Sequence, residues 1–133
     1  MKKIAIFLGL LMLVVLTQSN KPISQDNPAA KIEFENLVYD YGTIEKGSDG
    51  NCVFKYKNTG DDVLLISRVQ KSCGCTTPVF SREPLMPGET AEIKVGYNTQ
   101  IVAPFNKTIT VFSNAENSPV VLRIKGTVVN KTE

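Results

Sequence analysis

The sequence predicts an all-β, two-sheet sandwich of about seven short strands, and three observations carry that expectation. From Lys31 onward, apolar and polar residues alternate with period two, which puts one face of each strand on a core and one in water. Turn residues separate the alternating runs. After residue 20, no stretch of ten or more residues carries clean helical periodicity. Strands this short, with turn signals this regular, in ~100 residues indicate a sandwich.

The first apolar runs are 31–34 and 37–39. Cys52, Phe54 and Tyr56 then alternate with Val53, Lys55 and Lys57. Asn58-Thr59-Gly60-Asp61 closes that strand, and residues 63–66 begin the next, within the run 64–69. Pro87-Gly88 supplies the fixed φ and the φ > 0 position of a type II turn. Ala91, Ile93, Val95 and Tyr97 alternate with Glu92, Lys94 and Gly96, and a further run spans 107–112. Ser113-Asn114-Ala115 and Asn117-Ser118-Pro119 make a polar break before Leu122, Ile124 and Val128, which alternate with Arg123, Lys125 and Thr127. Burying Phe34, Phe54, Tyr56, Ile93 or Leu122 contributes ~1.5–3 kcal/mol each, so the core is expected to stand without a metal.

Ahead of the sandwich, Met1-Lys2-Lys3 precedes an apolar run at residues 4–16. A basic start and an apolar run of this length match a secretory signal, whereas a membrane span needs roughly 20 apolar residues. Thr17 and Ser19 offer small side chains for cleavage before Asn20. The reading is a signal peptide at 1–19, with an uncleaved membrane anchor as the lesser alternative. No cysteine follows the run for lipid attachment. Residues 20–30 are polar, with two prolines, and read as a flexible linker. The sandwich is expected at 31–130 and a short tail at 131–133.

The charges follow the same division. The sequence holds 15 Lys and Arg against 13 Asp and Glu. Loss of Lys2 and Lys3 with the signal leaves the two signs balanced. No clustered basic face remains for nucleic acid.

The sequence contains no histidine, which excludes Ser-His-Asp and Cys-His catalysis. Asp61-Asp62 reads as solvated turn acids, and Asp40 and Glu89 likewise lie at turns. Asn106-Lys107-Thr108 and Asn130-Lys131-Thr132 match the glycosylation sequon, a short pattern that arises often by chance. Residues 79–86, with Phe80, read either as a strand crossover or as a partner-facing loop.

The chemistry-bearing candidates are the three cysteines. Cys73 and Cys75 flank Gly74. In an extended strand residues two apart lie ~6.6 Å from each other, at the edge of the disulfide range, and a bend at Gly74 brings them closer. Such a bridge closes almost no chain and is readily reduced. A bond from Cys52 to Cys73 or Cys75 is the structural alternative, worth roughly 3 kcal/mol on the chain-entropy model. Cys52 shares the alternation of Phe54 and Tyr56, so a buried free thiol is the simpler reading. Two thiolates flanking one residue suit Cu(I), whereas structural zinc wants four ligands. Thiol exchange normally uses a wider spacing at a helix N-terminus, which this box lacks, although Lys71 and Arg82 stand near it in sequence.

Several motifs together resemble a bacterial exported family known only as a domain of unknown function. They are Tyr41-Gly42-Thr43-Ile44, the stretch from Phe54 to Asn58-Thr59-Gly60, and the box Ser72-Cys73-Gly74-Cys75-Thr76. Pro87-Gly88-Glu89 and Ile124-Lys125-Gly126-Thr127-Val128 complete the set. The resemblance covers about 33–129. It implies an immunoglobulin-like sandwich, akin to hydin-like and major-sperm-protein-like domains that are mostly interaction modules. Cys52 departs from the family pattern, where that position is merely apolar.

The expectation is therefore an exported, periplasmic or cell-envelope, non-enzymatic interaction or scaffold module with no catalytic residues and no cofactor. Its partner is a protein or envelope component, and it meets the membrane only through the signal segment before cleavage. The alternative is a thiol-redox or Cu(I)-binding protein using Cys73 and Cys75.

Overall fold

The structure, a computed structural model, describes residues 27–133. The expected signal peptide at 1–19 and residues 20–26 of the expected linker lie outside the described residues. The strands are β1 (Ile32–Phe34), β2 (Val38–Glu45), β3 (Asn51–Asn58), β4 (Ile66–Lys71), β5 (Thr76–Val79), β6 (Thr90–Tyr97), β7 (Pro104–Ser113) and β8 (Val120–Val129). They form two four-stranded sheets, ordered β1-β3-β6-β5 and β2-β8-β7-β4. Neighbours are antiparallel except β2, which runs parallel to β8. This is the all-β two-sheet sandwich that the alternation predicts, of the immunoglobulin-like kind that the family resemblance implies. No helix of the described residues is long and apolar enough to cross a membrane.

Alternation becomes burial most plainly in β3, where Cys52, Phe54, Tyr56 and Asn58 point inward and the residues between them are exposed. Phe54 pairs with Ile93 and Cys52 with Val95. Ile109 pairs with Leu122 in the facing sheet. These side chains, with Leu64, Val111, Ile124 and Val128, fill the space between the sheets. One end is closed by rings: Tyr97 stacks on Phe105 with centroids 3.8 Å apart, and Tyr41 meets Phe105 edge-on at 5.5 Å. Gly126 makes room for them. A Cβ there would come within 2.9 Å of Tyr41 Cβ and 3.0 Å of the Phe105 ring.

Three elements differ from expectation. The described residues form eight strands, the additional one being β5, which is four residues long and carries Pro78. A run that short shows no periodicity, and proline argues against a central strand but is tolerated at an edge. β4 starts at Ile66, with Leu64 instead making an isolated bridge to Leu85. The last linker residues are packed: Ala30 is buried, the Ala29 carbonyl accepts the Asp61 N–H, and the Ala30 carbonyl accepts the Glu116 N–H. Small side chains let this backbone run close to Gly60, where an added Cβ would collide with the Ala29 carbonyl oxygen.

The most constrained polar group is Asn58, fully buried at the end of β3. Its Nδ2 donates to the Asp62 and Leu85 carbonyls at 2.8 and 2.9 Å. Its Oδ1 accepts the Gly60 N–H at 3.0 Å and, more loosely, the Lys31 N–H at 3.5 Å. Its backbone N–H donates to the Glu89 carbonyl and its carbonyl accepts the Gly88 N–H. Gly88 has φ +84°, and the Glu89 N–H closes on the Met86 carbonyl, as a type II turn requires. Asn58 thus ties together the start of β1, the Asn-Thr-Gly turn, the crossover at Leu85 and the Pro-Gly-Glu turn.

Asn58→Ala leaves buried carbonyls without donors and is expected to cost about 2–4 kcal/mol. Asn58→Asp, which cannot donate to those carbonyls, should cost a similar amount, and Gly60→Ala should also destabilise. Urea unfolding measures all three, and variants within about 0.5 kcal/mol of the parent would contradict this role for Asn58.

Candidate functional site

β4 ends at Lys71 in one sheet and β5 begins at Thr76 in the other, so 72–75 is the corner where the chain changes sheets. Both sides of the corner are pinned. The Ser72 N–H donates to the Thr108 carbonyl, and the Thr108 N–H donates to Ser72 Oγ at 3.1 Å. The Asn98 N–H donates to the Cys75 carbonyl at 2.9 Å. The buried Thr76 hydroxyl donates to the Cys73 carbonyl at 3.2 Å.

Within this frame Cys73 and Cys75 are joined by a disulfide, with Cα atoms 5.4 Å apart. The bend at Gly74 shortens the separation, as expected. Gly74 is not at positive φ, and a Cβ there would meet nothing within 4 Å. Both cysteines are half-buried, and Cys75 packs against the core. The Cys75 N–H donates to Cys73 Sγ at 3.1 Å. Of the two cations near the box in sequence, Arg82 lies over the Phe80 ring and Lys71 ends β4.

Cys52 is apart from this pair, free and buried on β3. Burial pushes its thiol pKa up, and the neighbouring Tyr41 hydroxyl pulls it partly back. Burial first, then Cys52, raises the Tyr41 pKa, while the Tyr41 hydroxyl donates to the Gly50 carbonyl at 2.6 Å. A protonated thiol in such surroundings is inert.

The sheet edges form the second candidate. Ladder geometry fixes which backbone groups face outward. At β1, the outward N–H and carbonyl of Ile32 are both taken by the Asn117 amide, at 3.1 and 2.7 Å. At β5, the Asn98–Cys75 bond leaves Thr76 and Pro78 facing outward, and proline has no N–H to offer. Flanking β4, Asn114 clamps the Leu65 N–H and the Val63 carbonyl, and Leu85 covers Leu64. Val69 and Lys71 remain open there, beside Arg68, Gln70 and Ser72, and lysine on an edge disfavours strand pairing.

At β2, the Arg123 N–H donates to the Leu37 carbonyl, so Leu37 and Tyr39 address β8 while Val38 and Asp40 face away. Leu37, Val38 and Tyr39 are consecutive, apolar and 51 %, 46 % and 39 % exposed. Among the described residues this edge alone combines free backbone groups with an exposed apolar run. A bulge between Asp40 and Thr43, with Gly42 at φ +66°, ends the open stretch. Residues 37–39 were legible as a strand but not as a surface, because nothing in the local pattern tells an edge from a centre.

The other candidates serve local turns. Asp62 Oδ1 accepts the Val63 N–H, Asp40 Oδ1 the Gly42 N–H, and a Glu89 carboxylate oxygen the Met86 N–H. Residues 79–86 form the crossover: Phe80 is half-buried, Leu85 bridges Leu64, and Val79 and Met86 remain exposed. Asn106 accepts a bond from Arg123, and Asn130 lies past β8. Among the described residues no group of three or more His, Cys, Asp or Glu comes together.

The raised pKa values set a direction for alkaline stability. Cys52 and Tyr41 are neutral when protonated, so their contribution is complete below the unfolded-state values and is lost as pH rises. The urea midpoint is expected to hold between about pH 6 and 8, to fall past the ordinary thiol value of about 8.5, and to fall faster past about 10. A midpoint constant to about pH 10.5 would contradict the burial of these groups. Cys73→Ser with Cys75→Ser should keep a cooperative unfolding transition and lose no more than about 2 kcal/mol, because so short a loop restricts the unfolded chain little. Loss of that transition would make the bridge a requirement of the fold.

The family model described as "Protein of unknown function (DUF1573)" matches residues 32–128. No curated protein matches the sequence. Among solved structures, the chain is similar to a protein of unknown function from Porphyromonas gingivalis W83, at TM-score 0.63 and 19 % identity, covering 75 % of this chain and 46 % of that one. It is also similar to the ASH / PapD-like domain 7 of human CEP192, at TM-score 0.65 and 9 % identity, covering 78 % and 89 %. A third likeness is to the Vibrio cholerae VesB protease, at TM-score 0.61 and 13 % identity, covering 73 % and 32 %. The chain thus spans less than half the length of the P. gingivalis protein and about a third of the protease. At these identities the likeness is one of fold.

Proposed function

We propose that this chain, which belongs to the DUF1573 family, is an exported, non-enzymatic interaction or scaffold module of the cell envelope that takes an extended segment of a partner protein as an added strand along β2. The observation that carries the reading is the exposed apolar run Leu37-Val38-Tyr39 beside the outward backbone groups of Val38 and Asp40. Strand addition draws affinity from main-chain hydrogen bonds and specificity from alternate side chains. Three consecutive exposed apolar residues on an edge are a liability unless something uses them. The open stretch ends at the Gly42 bulge, which favours a short segment over a second copy, since a stable dimer buries roughly 1,200–2,000 Å².

Export rests on the pattern at residues 1–19, with a periplasmic or cell-envelope destination. The near-zero charge of residues 20–133 supports a protein partner rather than nucleic acid. Likeness to a part of VesB carries no protease activity to a sequence that lacks histidine.

A photo-crosslinking residue placed at Tyr39 in exporting cells tests this, with the same residue at Val53, exposed on the other sheet, as comparison. Discrete adducts with another protein are expected from position 39 only, and Val38→Lys should abolish them without changing the unfolding midpoint. Equal adducts from both positions, adducts that survive Val38→Lys, or adducts of twice the chain's own mass would overturn the reading.

A further inference from the structure

We propose that Cys73-Gly74-Cys75 is a thiol–disulfide exchange site for an exported dithiol or disulfide partner, with Cys73 as the exchanging sulfur and Cys75 as the resolving one. The site lies at the corner between β4 and β5 and is independent of the β2 edge.

The corner does not need the bridge. Bonds from Ser72, Thr76 and Asn98 already hold it, and a bridge across one intervening residue restricts almost no chain. The two sulfurs are also unlike each other. Cys75 packs against the core, whereas Cys73 is half-buried outside that packing. Cys73 Sγ accepts the Cys75 N–H, and a hydrogen bond to the charged form favours a thiolate at Cys73. Gly74 is exposed, and the space its Cβ would occupy is open, so no side chain stands at the tip of the corner.

The exchange balances with the partner alone. A partner thiolate attacks Cys73 Sγ, the Cys73–Cys75 bond breaks, and Cys75 leaves as a thiolate that takes a proton from water. The partner's second thiolate then attacks the partner sulfur of the mixed disulfide and expels Cys73 as the thiolate that the Cys75 N–H stabilises. The partner becomes a disulfide, and two electrons reside on the Cys73/Cys75 dithiol. The reverse sequence reduces a partner disulfide.

The test uses mature protein and oxidised glutathione at neutral pH, read by mass spectrometry. Cys75→Ser, which keeps the backbone N–H at that position, should form a mixed disulfide at Cys73 at least about tenfold faster than Cys73→Ser does at Cys75. The pH midpoint of the Cys73 reaction should lie below the free-thiol value of about 8.5. Cys52, buried on β3, reports folding by remaining unmodified. Should either variant expose Cys52, the comparison passes to dithiothreitol-reduced parent protein, where iodoacetamide should label Cys73 ahead of Cys75. Equal rates, a faster Cys75, or a midpoint at or above about 8.5 would overturn the proposal. So would a bridge that dithiothreitol opens only together with Cys52 exposure.

Discussion

The buried amide of Asn58 is the constraint on which the rest of the sandwich depends. A primary amide has two donors and a carbonyl oxygen, and burial makes each unpaired group costly. Here they meet segments that are far apart in sequence: Lys31, Gly60, Asp62 and Leu85. The Leu85 bond sets the height at which the crossover returns, and Leu85 in turn bridges Leu64, just ahead of β4 of the other sheet. The side chain thereby couples the start of β1, the Asn-Thr-Gly turn and the crossover, while the backbone of the same residue holds the Pro-Gly-Glu turn. The closeness of Gly60 to Ala29 follows from the same arrangement.

With the crossover and the N-terminal approach held, the free surfaces are a consequence of topology. Asn117, Pro78 and Leu85 each blunt part of a margin, by side-chain capping, by lack of a donor or by a backbone bridge. β2 has no such device before Gly42. The chain leaves β1 in one sheet and enters β2 in the other, so its apolar residues arrive at a margin with β8 on one side only. The cysteine corner is the corresponding sheet change at the opposite margin, from β4 to β5. The two candidate sites therefore sit at the two places where the chain crosses between edge strands.

Much of the fold was legible because burial writes itself as alternation. β3, β6 and β8 are as their periodicity implies, and Cys52 is the buried thiol that its alternation with Phe54 and Tyr56 indicates. The Pro87-Gly88 turn needed only local chemistry. Features that depend on distant partners were not legible. β5 is too short for a period and holds a proline that only an edge accommodates. Asn58 reads as a turn residue, and only the three-dimensional return of Leu85 makes it a buried hub. Gly126 is explained by Tyr41 and Phe105, which lie far from it in sequence. The exposed run at 37–39 looks like any half-buried strand until the sheet order places it at a margin. The bridge between Cys73 and Cys75 was anticipated as a possibility of bending at Gly74, while their unequal packing was not.

β2 offers a strand-ready edge with an exposed apolar run, a combination that the other margins of the described sheets lack. Residue-resolved amide hydrogen exchange on the protein in dilute solution is the decisive measurement, because exchange reports which N–H groups lack a partner. Rapid exchange is expected at Val38 and Asp40, with protection at Ile32, Gly60 and Leu65, whose N–H groups donate to Asn117, Asn58 and Asn114. Protection of Val38 and Asp40 in the dilute protein would contradict it, because the edge would then already be occupied.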